Sequence, residues 1–394
     1  MNHLSNQDRP EKNIDWTEDT EQLLSDCAIC PRNCHVDRLH GRVGFCGESG
    51  RLRAARAALY YTEEPVISGR DGSGTVFFTG CNLGCIYCQN RQISRPGSAG
   101  GTSPCPFGHS TEHSTEHSAG HSQADNHAEA ACSAGGGGNS VIRLAELSPE
   151  RLAEIFFELK EQGAHNINLV TPEHFVPLII PALRRARSQG LSIPVVYNTG
   201  SYEKVEAVRA LEGLVDVWLP DLKYVSPRLS ALHTGADDYF ECASAAIAEM
   251  VRQCPEPVFS DGSHAIDCPD DADDPLLIRG VLVRHLALPG CGEDSRAVLR
   301  YLHETYGDHI FISIMNQYTP MPQVLARQLT EAHLPGRGSV PGSGGLSDLC
   351  RTLSAEEYDS LVDYAIGLGI QNGFVQESGT VSPSYIPVFD GTGI

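Results

Sequence analysis

Short apolar segments alternate with amphipathic segments along most of the chain. The apolar segments are rich in β-branched residues and contain few polar positions, which is typical of strands buried on both faces. Six strands are predicted in this way: Thr75–Thr79, Asn166–Val170, Ile193–Asn198, Val215–Leu219, Ile278–His285 and His309–Ser313. Strands that alternate with helices build a parallel sheet, so the pattern predicts the α/β fold class.

The amphipathic segments between these strands have the apolar spacing of helices packed on a sheet. Ser148 before Pro149 is a favourable helix start. Gly163, Gly190 and Gly213 stand where a helix would end in a left-handed residue. Helices are predicted at Pro149–Gln162, Phe175–Gln189, Tyr202–Glu212, Tyr239–Gln253, Asp294–Glu304 and Ala355–Leu368, and a short strand-like segment at Gly373–Gln376.

Changes in composition predict how the chain is organised. Residues 1–70 are predicted to form an N-terminal extension, and residues 71–394 a core barrel. Three inserts interrupt this core: residues 96–140 are rich in Gly, Ser and His, residues 255–275 in Asp and Pro, and residues 332–347 in Gly and Pro. Such compositions favour surface loops without regular structure.

The first insert contains the near-repeat HSTEHSTEHSAGH, which spaces four histidines four residues apart: His109, His113, His117 and His121. On a helix these imidazoles would share one face and could bind a divalent metal. Gly and Ser disfavour a helix, however, and histidine-rich tracts often have no fixed role. Both interpretations stay open.

Polar residues, Gly and Pro follow each predicted strand. The six strand ends lead into Gly80–Cys81, Thr171–His174, Asn198–Ser201, Pro220–Lys223, Arg284–Gly290 and Asn316–Pro320. In βα barrels these carboxyl ends form the active-site face, so one shared cleft is predicted. Loops are polar in any case, but Lys223 and Arg284 lie within or directly after apolar strands, where a buried cation needs a partner.

The charge narrows the range of partners. The chain has 394 residues and a formal net charge of −21, from 50 acidic against 29 basic residues. This charge disfavours nonspecific binding to nucleic acid or to an anionic membrane surface. No apolar stretch has the length of a signal peptide core or a membrane span, so a cytoplasmic protein is expected. In that compartment the 14 cysteines are expected to be metal ligands or reduced thiols.

The strongest chemical signal is the loop after the first predicted strand. It reads FFTGCNLGCIYCQN and gives the spacing Cys81-x3-Cys85-x2-Cys88. Three thiolates on one tight loop can ligate three irons of a [4Fe-4S] cluster and leave the fourth iron open for another ligand. The alternatives are a zinc site with a fourth ligand elsewhere, or three buried thiols.

A second group of cysteines precedes the predicted barrel. Cys27, Cys30 and Cys34 have the spacing C-x2-C-x3-C, and Cys46 follows twelve residues later. Four thiolates in such a knuckle can bind a structural zinc or an auxiliary iron–sulfur cluster. Four reduced cysteines in a small packed lid are the alternative.

Together these segments resemble the radical S-adenosylmethionine (SAM) superfamily, in particular the group related to pyruvate formate-lyase activating enzymes. The resemblance rests on the CxxxCxxC motif, with Tyr87 before its last cysteine and Asn90 two places after it. It extends through NINLVTPEH, VVYNTGSY, VDVWLPDLKY, VRHLALPG and ISIMNQYTP, and so covers roughly residues 21–394 apart from the inserts.

The resemblance implies a partial TIM-like (βα)6 barrel with the cluster at its top and SAM across the strand ends. It implies that Tyr87 flanks the adenine and that Asn90 is a neighbouring polar contact. Asp221 and Lys223 match the D-x-K of the family, near the amino acid moiety of SAM, and Asn198 lies on the adjacent strand end. For each of these, an ordinary solvated or capping polar side chain is the alternative.

The sequence departs from the family pattern at two points. Many relatives have a Gly-Gly-Glu turn that binds the SAM amino group after the second strand, whereas this chain has Thr171-Pro172-Glu173-His174. Glu173 or backbone carbonyls are the candidates to replace it. Auxiliary cysteines in activating enzymes usually follow the SAM motif, but here the additional set precedes it.

The expected function is reductive cleavage of SAM to a 5′-deoxyadenosyl radical that abstracts hydrogen from a glycine of a partner protein. This would require a reduced flavodoxin- or ferredoxin-like electron donor and a glycyl radical enzyme as partner. A radical SAM enzyme that acts on another protein or a small molecule is the first alternative, and a noncatalytic metal-binding scaffold is the second.

Overall fold

One extended sheet carries the architecture. The computed structural model describes Trp16 and residues 19–95, 142–263, 275–331, 342–376 and 387–394. Its strands are β1 (Leu52–Tyr60), β2 (Ser73–Phe78), β3 (Ala145–Leu147), β4 (Ile167–Val170), β5 (Val195–Thr199), β6 (Val217–Pro220), β7 (Val258–Phe259), β8 (Leu277–Leu286), β9 (Phe311–Met315) and β10 (Gly373–Val375).

Seven of these strands run parallel, in the order β2-β4-β5-β6-β8-β9-β10. β1 pairs antiparallel with β2 and with β3, so the edge of β2 is covered by β1. Within the described residues β10 pairs with β9 alone among the strands, and the barrel does not close. The α/β class and the partial TIM-like barrel are confirmed.

Helices cover the outside of the sheet. They are α1 (Thr20–Ser25), α2 (Pro65–Ser68), α3 (Arg91–Ser94), α4 (Pro149–Glu161), α5 (Val176–Ser188), α6 (Val205–Ala210), α7 (Pro227–Thr234), α8 (Tyr239–Gln253), α9 (Gly292–Tyr306), α10 (Pro322–Glu331) and α11 (Ala355–Leu368). α4 packs on α5, α6 on α8 and α9 on α11. Their apolar stripes join the strands in one core, which α4 enters with Leu152, Ile155 and Phe156.

The predicted elements form close to their expected bounds. All six predicted strands are present, displaced by no more than two residues at either end. Ser148 caps α4 by accepting a hydrogen bond from the amide of Arg151 at 3.2 Å. Gly163, Gly190 and Gly213 have φ angles of 100°, 91° and 77°, the left-handed conformation expected after a helix.

Three strands were not anticipated from the sequence: β1, β3 and β7. β3 is a three-residue strand that pairs antiparallel with β1. β1 reads LRAARAALY, whose alanines and arginines favour a helix by propensity; pairing with β2 and burial of alternate side chains outweigh that preference. β7 lies within the insert 255–275 that was expected to lack regular structure. Phe259 is buried there and packs edge-to-face on Phe311, with ring centroids 5.5 Å apart.

The remaining inserts are described only in part. Residues 96–140, with the four spaced histidines, lie outside the described residues. Of residues 332–347, only 342–347 are described, and the amides of Gly342, Gly344 and Gly345 donate to the Asp348 carboxylate at 3.0 to 3.2 Å. In the described part of the chain, every helix is too short or too polar to cross a membrane.

Candidate cofactor site at the carboxyl ends of the strands

A cavity of about 640 Å³ opens at the carboxyl ends of the parallel strands. It is lined by all eight residues that the sequence singled out: Cys81, Cys85, Tyr87, Cys88, Asn90, Asn198, Asp221 and Lys223. Residues of β10 and residues that follow β1, including Glu63, also line it. The shared cleft expected from the polar strand ends is therefore present.

The loop with the three cysteines leaves β2 through Gly80. Gly80 has a φ of 77°, and a side chain there would meet Glu48 and the carbonyl of Cys46 within 2.8 Å, so the turn requires glycine. Burial raises the pKa of Cys85 to about 11 and that of Cys81 well above the usual value. Both thiols stay protonated near neutral pH unless a bound cation compensates the thiolate charge.

The donor set of the loop fits an iron–sulfur cluster. Three thiol groups on one loop face one cavity, and three thiolates can ligate three irons of a [4Fe-4S] cluster.

A buried charge network forms the wall beside the cysteine loop. Asp221 Oδ2 lies 2.5 Å from Lys223 Nζ, and Asp221 Oδ1 accepts from Arg284 Nε at 2.9 Å. Arg284 also donates to Glu63 at 3.2 Å and to Asn198 Oδ1 at 2.6 Å. The sequence expectation that Lys223 and Arg284 require partners is confirmed.

These contacts keep Asp221 and Lys223 ionised despite burial. Burial alone would raise the pKa of Asp221, but Arg284 and Lys223 outweigh it and hold that pKa below its usual value. Burial likewise opposes the charge of Lys223, and Asp221 outweighs it and raises the pKa of the amine. For Glu63, burial dominates over Arg284 and the pKa is raised. The Asp221–Lys223 pair is therefore charged at neutral pH.

Glu173 lies in the turn after β4, at the position where the family that the cysteine motif resembles often has Gly-Gly-Glu. Its Oε1 accepts from the amide of Gly200 at 2.8 Å and from Thr199 Oγ1 at 2.9 Å. Its Oε2 is buried and has no hydrogen-bond partner within the described residues, although the side chain lines the cavity. A buried carboxylate oxygen in this position requires a donor from a ligand or from water.

Tyr87 forms the floor of the cavity beside the cysteines. Its hydroxyl lies 2.7 Å from that of Tyr224, which in turn lies 3.0 Å from His233 Nδ1. His233 Nε2 donates to the carbonyl of Gly344 at 2.9 Å. These contacts fix the orientation of the Tyr87 ring. Asn90 lines the cavity at the start of α3.

The N-terminal cysteines lie directly behind the cysteine loop. Cys27, Cys30 and Cys46 are buried, and the carbonyl of Cys46 accepts from the amide of Cys81 at 3.4 Å. Burial raises the pKa of Cys30 to about 12. Metal binding by this group stays a prediction.

Phe45 joins the N-terminal segment to the cysteine loop. Its ring lies between the guanidinium groups of Arg32, at 3.8 Å, and Arg95, at 4.4 Å. Arg95 also donates to the carbonyls of Phe45 and Leu83, and Arg32 to that of Asn82. The N-terminal segment thus supports the backbone of the loop that carries Cys81.

Sequence reasoning missed two carboxyl groups of the site. Glu63 was overlooked because it follows the unanticipated strand β1. The available sequence signal was Arg284, a cation in an apolar strand, which indicated that the site needs an acid in addition to Asp221. Glu203 was assigned to a helix from Tyr202 to Glu212, but α6 begins only at Val205, and the Glu203 side chain turns toward Thr199. The available sequence signal was that Tyr197 and Thr199, two residues apart on β5, place polar groups on the same face of the strand.

Comparison with known proteins gives relatives for this chain but no family assignment. No family model matches the chain. Among curated proteins it is similar to the uncharacterized protein MJ0674 of Methanocaldococcus jannaschii, with 26% identity over 77% of this chain and 69% of that protein.

Among solved structures, the chain is similar to a domain of a pyruvate-formate lyase-activating enzyme from Bacteroides vulgatus, with a TM-score of 0.31 and 12% identity over 52% of this chain and 92% of that one. It is also similar to Streptococcus suis SuiB bound to S-adenosylmethionine, with a TM-score of 0.37 and 12% identity over 60% of this chain and 45% of SuiB. For the hydrogenase maturase HydG from Carboxydothermus hydrogenoformans, the TM-score is 0.33 with 13% identity over 77% of this chain and 58% of HydG.

The chain spans about half the length of SuiB and HydG.

Proposed function

We propose that this chain is a radical SAM enzyme, in which Cys81, Cys85 and Cys88 hold a [4Fe-4S] cluster and the cavity beside them binds SAM. The observation that carries the proposal is that one cavity is lined by three thiols and by Glu173, whose buried Oε2 has no hydrogen-bond partner in the part of the chain that the structure describes. When bound, the cluster would supply the electron that cleaves SAM to methionine and a 5′-deoxyadenosyl radical.

The side chains of the cavity match the groups of SAM. Glu173 Oε2 offers an acceptor for the ammonium group, and the charged Lys223 follows β6, two strands away from β4 in the sheet, where it can attract the carboxylate. Tyr87, held by Tyr224, provides an aromatic face for the adenine. Asn90 and Asn198 add polar contacts at the two ends of the same wall. These roles are proposals for each residue.

We further propose that the radical is passed to a glycine of a partner protein, as in glycyl radical enzyme activation, with a reduced flavodoxin- or ferredoxin-like protein as electron donor. The motif resemblance favours this target. A cavity of about 640 Å³ must hold cluster, SAM and substrate together, and a backbone glycine needs less room there than any other residue.

The decisive experiment is anaerobic reconstitution with iron and sulfide, followed by addition of SAM and a chemical reductant. The proposal expects about four irons per chain at the Cys81 loop, and formation of 5′-deoxyadenosine. Iron binding without 5′-deoxyadenosine would favour a scaffold, and binding of zinc alone at this loop would refute the assignment.

The activating role is tested separately by electron paramagnetic resonance with candidate glycyl radical enzymes. An organic radical doublet on the partner is expected only when SAM and reductant are both present. Cleavage of SAM without a doublet on any candidate would leave a radical SAM enzyme with another substrate.

A further inference from the structure

Two buried carboxyl groups share one hydroxyl group behind the cavity. Thr199 Oγ1 lies 2.9 Å from Glu173 Oε1 and 2.6 Å from Glu203 Oε1. All three residues are at most 2% exposed. Glu173 and Thr199 line the cavity, whereas Glu203 does not.

The hydrogen bonds in this cluster can be counted. Thr199 has one hydroxyl proton and two lone pairs, and one lone pair accepts from the amide of Ser201 at 3.0 Å. The single proton can be donated to only one of the two carboxyl groups. The other carboxyl group must therefore be protonated, so that it donates a hydrogen bond to the remaining lone pair of Thr199.

The surroundings decide which acid carries that proton. Burial raises the pKa of Glu173 as well, but its Oε1 also accepts from the amide of Gly200, a contact that opposes burial and favours the ionised form. Glu203 Oε2 accepts from the hydroxyl of Tyr197 at 2.9 Å, and its Oε1 is left to donate. Burial, with Glu173 as the nearby negative charge, raises the pKa of Glu203 to about 8.

No cation compensates the pair. Among the described residues neither Glu173 nor Glu203 forms an ion pair, and the groups that act on Glu203 are Glu173, Thr199 and Tyr197. Two ionised carboxylates sharing one hydroxyl at this depth would repel each other. A chain of donors from Tyr197 and Glu203 through Thr199 to an ionised Glu173 satisfies every one of these contacts.

We propose that Glu203 is a positioning residue that remains protonated and, through Thr199, holds Glu173 ionised with its free oxygen toward the cavity for the ammonium group of the ligand. The identity of that ligand as SAM rests on the proposed function. Glu203 itself touches neither ligand nor cluster, and it acts through the hydrogen bond that it gives to Thr199.

Binding to the full-length, reconstituted protein tests this role. The probes are S-adenosylhomocysteine, which contains the ammonium group, and 5′-methylthioadenosine, which lacks the amino acid moiety. Glu203→Leu removes the hydrogen bond that Glu203 gives to Thr199, so the Thr199 hydroxyl is no longer held toward Glu173. The variant is expected to weaken S-adenosylhomocysteine binding by up to about tenfold and to leave 5′-methylthioadenosine unchanged. Glu203→Gln, whose amide can donate to Thr199, is expected to restore most of the loss.

Thr199→Val and Thr199→Ser form a matched pair at the centre of the relay. Loss of affinity in Thr199→Val with recovery in Thr199→Ser is expected, again for S-adenosylhomocysteine alone. Equal weakening of both nucleosides in Glu203→Leu, or no recovery in Glu203→Gln, would overturn the proposal, because a general packing defect would then explain the loss.

The proton on Glu203 has its own signature in infrared spectroscopy. The C=O stretch of a protonated carboxyl group is expected at pH 7 in the wild type and in Thr199→Ser, and is expected to be lost in Glu203→Gln. Absence of this band in the wild type would overturn the relay. Presence of the band in a protein that binds neither nucleoside would instead support the relay and refute SAM as the ligand.

Discussion

Arg284 on β8 and Asp221, directly after β6, form an ion pair in the wall of the cavity, with Arg284 Nε 2.9 Å from Asp221 Oδ1. The two side chains are only 14% and 15% exposed, so water screens their charges little. Arg284 also reaches Glu63 and Asn198, and it thereby joins three strand ends and the segment after β1. The pair fixes the shape of the site as well as its charge.

Removal of this guanidinium should be costly. Arg284→Met leaves Asp221 and Glu63 buried with a single cation, Lys223, and is expected to lower the free energy of unfolding by about 3–5 kcal/mol. Urea denaturation measures this. Arg151→Met, which breaks an exposed ion pair with Glu158, is the matched control and is expected to cost about 1 kcal/mol or less. Equal losses in the two variants would contradict the assigned role of Arg284.

The three cysteines of the loop should differ from the other thiols in what they bind. Cys88→Ala is expected to abolish the cluster absorbance and 5′-deoxyadenosine formation together, because a cubane held by two thiolates is labile. Cys242→Ala on α8, whose thiol is half-buried and remote from the cavity lining, is the control and should leave both unchanged. An unaltered spectrum in Cys88→Ala would refute the ligand assignment.

The N-terminal cysteines allow a separate metal measurement. A variant with Cys81, Cys85 and Cys88 all replaced by alanine is expected to retain metal bound by the group Cys27, Cys30, Cys34 and Cys46, detectable by mass spectrometry of metals. Further replacement of Cys30 and Cys46 should remove it. Absence of metal from the first variant would show that this group consists of reduced, packed thiols.

Phe45 should stabilise the junction between the N-terminal segment and the cysteine loop. Phe45→Leu keeps apolar volume but loses the ring between Arg32 and Arg95, and a loss of about 1–2 kcal/mol in unfolding free energy is expected. Val43→Ala, at an exposed position nearby, should change stability by less than about 0.5 kcal/mol. A neutral Phe45→Leu variant would show that the stacked arginines add nothing.

Three buried histidines predict a loss of stability in acid. Burial lowers the pKa of His174, with help from Arg38, to about 3, and the pKa values of His233 and His285 to about 4. In the unfolded chain each binds a proton near pH 6.5, so their contribution is present above pH 6.5 and is lost as the pH falls toward 4. In that range each histidine lowers the free energy of unfolding by up to about 1.4 kcal/mol per pH unit as the pH falls.

Buried carboxyl groups with raised pKa values make the folded protein more stable as the pH falls, which opposes the effect of the histidines. A histidine variant is therefore needed to isolate the contribution of one histidine. His285→Gln is expected to make the fall in unfolding free energy between pH 6.5 and pH 4.5 shallower than in the wild type. Denaturant midpoints at several pH values measure the slope. Parallel curves for the two proteins would contradict a neutral, buried His285.

The parallel strands and the position of the chemistry followed from the sequence because both have local signals. The apolar segments from Thr75 to Ser313 predicted six parallel strands, and the spacing of Cys81, Cys85 and Cys88 predicted the loop that faces the cavity. An apolar run and a cysteine spacing need no knowledge of distant residues, which explains why these expectations agree with the structure.

The partners of the charged residues could not be found in this way. The sequence indicated that Arg284 requires an acidic partner. It did not indicate Glu63 as the second partner, because the position of Glu63 depends on β1, a strand that forms by pairing with β2 against its own propensity. The proton on Glu203 likewise depends on a hydroxyl shared with Glu173, thirty residues earlier in the chain. Residue types and local periodicity are written in the sequence, but burial and contacts between distant residues arise only when the chain folds, and they decide which groups carry charge.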